Sequence, residues 1–198
     1  MGFAIIVDGP NFINDLKNSG KDMNYILETL SFPKIHEIIQ RKLRRRGLSS
    51  HPFLHTYFVC SDKGQIGELR GEDRERLYDK LKNEKGVTVD IIKQGRKKGR
   101  EQQVDMSVFI RMLEMGPLSI PQKDPWRHLV LVASDSDYVP AIRLLSSMGT
   151  HTIVVGFREL KDARTGKSKK YPIELINESY LFLELSEILT EMENLTTT

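Results

Sequence analysis

Four aspartates have the type and placement to do chemistry together: Asp8, Asp105, Asp135 and Asp137. Asp8 ends the apolar run Ile5-Ile6-Val7 and leads into Gly9-Pro10-Asn11. Asp135 and Asp137 follow Leu131-Val132-Ala133-Ser134, with Ser136 between them. Both runs read as buried strands, which places their acids at C-terminal strand ends, the edge where open α/β sheets bind ligands. Asp105 is the only carboxylate between Val104 and Leu113, in what reads as the first turn of an apolar helix. Carboxylates converging on one crevice repel each other unless a cation neutralises them. Their hard oxygens suit Mg²⁺ or Mn²⁺, while the five histidines show no zinc-like spacing. A divalent ion held this way activates water, polarises a phosphoryl oxygen and steadies the leaving group, which is phosphodiester chemistry. Plainer roles exist for each residue alone. Asp105 suits a helix dipole, Asp137 suits an N-cap ahead of Pro140, and Ser134 and Ser136 suit a turn.

The elements that must position these acids alternate between strand and helix. Residues 3–8 predict a strand covered on both faces. A helical segment spans 22–31, and Ile35, Ile38, Ile39 and Leu43 continue helical spacing to a cationic end stopped by Gly47. Residues 54–60 predict a second strand, 68–84 a charged surface helix, and 87–93 a strand nearer an edge. After a basic loop come a helix over 103–115 and a buried strand over 128–133. They are followed by a helix over 137–148 closed by Gly149, and a strand over 152–157. A basic loop over 158–171, expected to be flexible, precedes a short helix after Pro172, a short strand at 180–183 and a closing helix. The tail from 194 is expected to fray. This pattern predicts one domain over 1–198, a three-layer α/β/α sandwich on a mainly parallel sheet. The first and fourth strands would be neighbours at the switch point, bringing Asp8 near Asp135 and Asp137.

Composition narrows the class. At 198 residues with 39% hydrophobic and 29% charged residues, the chain reads as one globular domain. No apolar run is long enough for a bilayer, and the N-terminus lacks the basic segment of a secretory signal. Ile6 stands where a myristoylation signal needs Ser or Thr. The lone Cys60 excludes an internal disulfide and a multi-thiolate zinc site, and a cytoplasmic location fits best. The net charge is only +3, yet the cations are clustered. Arg41, Lys42, Arg44, Arg45 and Arg46 form one block, and Lys93, Arg96, Lys97, Lys98 and Arg100 a second. The third holds Arg158, Lys161, Arg164, Lys167, Lys169 and Lys170. Cationic blocks beside an acidic site suit a polyanion held near bound metal, although any one block alone also reads as a solvated face.

DGPN near the start, VDM at a helix start, and ASDSDYVP followed by an apolar helix, Gly149 and TIVVGF resemble the ordered motifs of the NYN domain family. The likeness is to its LabA-like branch within the PIN-like nuclease superfamily, and it runs from residue 3 to about 185. The resemblance implies a PIN-like, Rossmann-like α/β/α fold and a Mg²⁺- or Mn²⁺-dependent ribonuclease leaving a 5′-phosphate and a 3′-hydroxyl. It makes Asp8, Asp105 and Asp135 metal ligands, with Asp137 a further one, and has Asn11 orient a phosphate or Asp8. Ser134 and Ser136 would offer donors to phosphate, and Lys93, Arg96, Lys97, Lys98 and Arg100 would grip the flanking backbone. Three departures stand out. Ala133-Ser134 replaces the family's Ser-Gly. Gln102-Gln103-Val104 separates Lys98-Gly99-Arg100 from Asp105. Tyr138 replaces the usual phenylalanine.

RNA is the expected partner, with DNA open, a homodimer possible and no membrane. The rival class is a non-catalytic RNA-binding or regulatory adaptor on the same fold. Gly166-Lys167-Ser168 resembles the end of a P-loop but lacks its first glycine, since Lys161 stands there. No G-x-G-x-x-G follows the first strand, and Pro10 occupies the place of a haloacid-dehalogenase acid.

Overall fold

The computed structural model describes residues 4–48, 55–62, 71–93, 100–115, 127–161, 166 and 168–195. Six strands form one sheet: β1 (Ala4–Asp8), β2 (His55–Ser61), β3 (Val87–Ile92), β4 (Arg127–Val132), β5 (Thr150–Gly156) and β8 (Leu181–Glu184). Their order is β3-β2-β1-β4-β5-β8, and every neighbouring pair is parallel. The order reverses between β1 and β4, where Val7 pairs with Val132. The two strands that carry the acids are therefore adjacent, and the crevice at their C-terminal ends is the switch point.

Alternate residues of these strands feed two separate cores. Ile5, Val7, Phe58, Cys60, Val130, Val132, Ile153 and Val155 pack on one face. There they meet α1 (Gly9–Asn18), α2 (Phe32–Arg45), α3 (Glu72–Asn83) and α7 (Leu185–Asn194). Ile6, Val59, Leu129, Leu131 and Val154 face the other way, toward α4 (Arg100–Met115), α5 (Val139–Ser147) and α6 (Ile173–Glu178). Strands buried on both faces explain their unbroken apolar runs. The result is a three-layer α/β/α sandwich.

Three local differences from the sequence expectation have physical causes. Helix α1 starts directly after β1, where the sequence pattern predicts no helix before residue 22. Asp8 caps it by accepting the Asn11 backbone N–H, and Pro10 sits in its first turn, where no amide donor is needed. The segment 22–31 is helical over 23–29, but mostly as a π-helical turn, Tyr25–Thr29. The expected flexible loop over 158–171 contains an antiparallel pair, β6 (Glu159–Lys161) and β7 (Ser168–Lys170), with Leu160 buried beneath it. Gly166, at a φ of 66°, stands before β7, so the P-loop-like triplet belongs to this hairpin.

Candidate active site

Asp8 is only 1% exposed, and protein donors surround its carboxylate. The Asn11 backbone N–H reaches Oδ1 at 3.1 Å, and the Asn11 side-chain amide reaches Oδ2 at 2.6 Å. The Tyr138 hydroxyl donates to the same Oδ2 at 2.7 Å. Burial pushes the Asp8 acid above its ordinary value. The bonds from Tyr138 and Asn11 oppose that push, and the charge of Asp135 adds to it. Asn11 thus holds Asp8 through its backbone and its side-chain amide.

Asp135 emerges just beyond β4 and caps a 3₁₀ turn, Ser136–Tyr138, by accepting the Asp137 backbone N–H at 3.0 Å. The N-cap position of α5, expected of Asp137, falls to Tyr138, and the Asp137 side chain is exposed. Ser134 is buried and Ser136 exposed. Asp105 comes from the other direction, on α4. That helix begins at Arg100, so Asp105 lies in its second turn, and the dipole of a first turn does not account for it. Its Oδ1 lies 3.3 Å from the Tyr138 hydroxyl. Burial, and then the charges of Asp8, Asp135 and Asp137, push the Asp105 acid up to about 6, against the lowering effect of Tyr138. Asp105 thus feels the charges of the other three aspartates, and Asp8 that of Asp135.

Tyr138 joins the acids through its hydroxyl, a contact that the sequence did not suggest. Its ring is buried at 2% exposure and its hydroxyl lies between two acids. The available signal was the extra oxygen in place of the family's phenylalanine, beside Asp137. Tyr171 has a comparable tethering role. Its buried hydroxyl donates to the Ala133 carbonyl, and its ring covers Gly156, where any side chain would overlap it. This ties the segment after β7 to the loop that carries Ser134 and Asp135.

The cationic blocks separate in space. Lys93 is exposed just past β3, at the acidic edge, with β2 between it and β1; two strand spacings make about 10 Å. Arg100 begins α4, and Arg96, Lys97 and Lys98 lie outside the described residues. The hairpin β6–β7 leaves the C-terminal end of β5, the same edge, with Arg158 and Lys170 exposed. The block at 41–46 is elsewhere. Phe32 packs on Phe58 and His36 bonds Thr56, so α2 runs backward along β2 and carries its cationic end to the opposite edge. There Arg41 pairs with Glu191 at 2.5 Å, and Lys42 with Glu191 and Glu187 at 2.7 and 3.0 Å.

A hard divalent cation suits these donors in kind: four carboxylates at one edge, with like-charge repulsion that a cation would relieve. Among the described residues, no three His, Cys, Asp or Glu side chains are grouped so as to hold an ion.

Residues 3–178 match the family model for the NYN domain. No curated protein matches the chain. Among solved structures, a protein of unknown function from Vibrio parahaemolyticus shares the fold. Its TM-score is 0.58 at 13% identity, with 94% of each chain covered. No helix among the described residues is long and apolar enough to cross a membrane. The family match extends to the NYN domain without singling out the LabA-like branch. With the parallel sheet and its acidic switch point already in place, the chain belongs to the NYN domain family of the PIN-like superfamily, whose domains are in general nucleases tied to RNA.

Proposed function

We propose that this chain is a Mg²⁺- or Mn²⁺-dependent ribonuclease that hydrolyses phosphodiester bonds at the Asp8–Asp105–Asp135–Asp137 edge. One observation carries the reading: acids from distant segments converge, with the Tyr138 hydroxyl bonding Asp8 and lying 3.3 Å from Asp105, where burial and then the charges of Asp8, Asp135 and Asp137 push the Asp105 acid up. A fold keeps such repulsion where a positive charge or a reacting phosphate belongs. Asp8, Asp105 and Asp135 would hold the ion, with Asp137 contributing directly or through water. When bound, the ion supplies activated water and charge neutralisation at the phosphoryl oxygen.

The remaining roles belong to the chain's own groups. Asn11 fixes the orientation of Asp8 through two hydrogen bonds. Ser134 and Ser136 offer donors beside the acids. Lys93, Arg96, Lys97, Lys98 and Arg100 on one side, and Arg158 and Lys170 on the other, hold the flanking phosphates of a single strand.

The second reading, an RNA-binding adaptor without cleavage, is favoured by the occupied oxygens of Asp8 and by the lack, among the described residues, of three acids grouped so as to hold an ion. Incubating the purified protein with labelled single-stranded RNA and Mn²⁺ separates the two, alongside Asp8→Asn and Asp135→Asn. The nuclease reading expects cleavage by the wild-type chain, lost in both variants while RNA binding persists. Binding without cleavage, unchanged by either substitution, would establish the adaptor.

A further inference from the structure

We infer that the Tyr138 hydroxyl is a latch that closes the acid cluster in the metal-free protein, competing with a divalent cation for Asp8. The inference rests on the nuclease reading and concerns how that site is regulated. Asp8 Oδ2 already accepts two hydrogen bonds, from Asn11 and from Tyr138. A carboxylate oxygen has two lone pairs, so this one is saturated. The same hydroxyl lies 3.3 Å from Asp105 Oδ1, and its one proton serves the nearer acid. It thus stands between the buried Asp8 carboxylate and the half-buried Asp105 carboxylate. Its ring cannot swing aside freely, because Tyr138 is 2% exposed and belongs to the core between the sheet and α4, α5 and α6. Opening the site therefore means breaking the Asp8 bond and moving a packed side chain or its neighbours.

A phenylalanine at 138 fills the same volume without the hydroxyl. It would leave Asp8 and Asp105 facing each other with less to offset their repulsion, and leave one lone pair of Asp8 free for a metal. Both effects act in the same direction. Tyr138→Phe should melt at a lower temperature than wild type without metal, and should bind Mn²⁺ more tightly. The gain should be about tenfold, the worth of roughly one competing hydrogen bond. Tyr138 is a positioning residue in this account, and metal affinity is a readout that a purely structural role would not improve.

The experiment is a Mn²⁺ titration followed by electron paramagnetic resonance of the free ion, on wild type, Tyr138→Phe and Asp135→Asn. Metal-free melting curves accompany it. Tighter binding by Tyr138→Phe, with weakened binding by Asp135→Asn, supports the latch. Equal or weaker binding by Tyr138→Phe, with wild type still binding through Asp135, overturns the latch and leaves the nuclease reading standing. Absence of Mn²⁺ binding in both wild type and Tyr138→Phe overturns the metal-dependent reading, and the latch with it.

Discussion

Asp105 shows how a single side chain can cost stability to keep a site charged. Burial, and then three neighbouring acids, push its acid up to about 6, above the ordinary carboxylate range, by disfavouring its ionised form. Between the ordinary value and 6 the folded chain holds a proton that the unfolded chain has released. Stability at this position is therefore greatest below about pH 4 and falls as pH rises through 6. Asp105→Asn removes the charge and keeps an oxygen for the Tyr138 hydroxyl. Without added metal, the variant should have a higher denaturant midpoint than wild type at pH 7.5. The advantage corresponds to a few degrees in melting temperature and disappears near pH 4. Solvent reaches this side chain and moderates the effect. A difference of the same size at both pH values would show that the gain comes from packing and not from charge.

At the scale of elements, Gly9 illustrates how closely the pieces behind the acids must approach. A Cβ at this position would lie 2.6 Å from the Phe58 ring and 2.7 Å from the Val59 carbonyl oxygen. Gly9→Ala should therefore push α1 off β2 and lower unfolding free energy by about 1–3 kcal/mol, the usual cost of overpacking, measurable by urea denaturation. Because Asp8 caps that same helix, the variant should also lower Mn²⁺-dependent cleavage. A Gly9→Ala chain as stable as wild type would mean that β2 yields easily.

The alternation of strands and helices and the β1–β4 adjacency were legible from apolar runs. Helix α1 was not, because its ten residues begin with Gly-Pro-Asn, a turn signature, and the Asp8 cap does double duty in the site. The β6–β7 hairpin was hidden by its cations, since only Leu160 among Glu159–Lys161 shows an apolar inward face. The link from Tyr138 to Asp8 spans 130 positions, and no local pattern encodes a contact that only the sheet order creates.

For the whole molecule, charge is arranged by end, and the modest net value conceals it. The acidic edge is flanked by Lys93 and by the hairpin's Arg158 and Lys170, while the cations of α2 lie at the far edge with Arg41 and Lys42 already paired to α7. If single-stranded RNA runs across the acidic edge, its affinity should fall with salt according to how many phosphates that edge neutralises. Replacing Lys97, Lys98 and Arg100 together with alanine should make the slope of log affinity against log salt shallower by about 2, at about 0.7 per lost phosphate contact. The matching triple replacement of Arg44, Arg45 and Arg46 removes the same formal charge. Those residues end the helix that runs away from Asp8, so the slope should stay as in wild type. Fluorescence anisotropy of a labelled oligonucleotide, titrated at several KCl concentrations without divalent metal, reads both slopes under conditions where no cleavage occurs. Equal loss of slope in the two triple variants would mean that RNA responds to net charge alone; loss confined to 44–46 would move the binding track to the opposite edge, away from the aspartates.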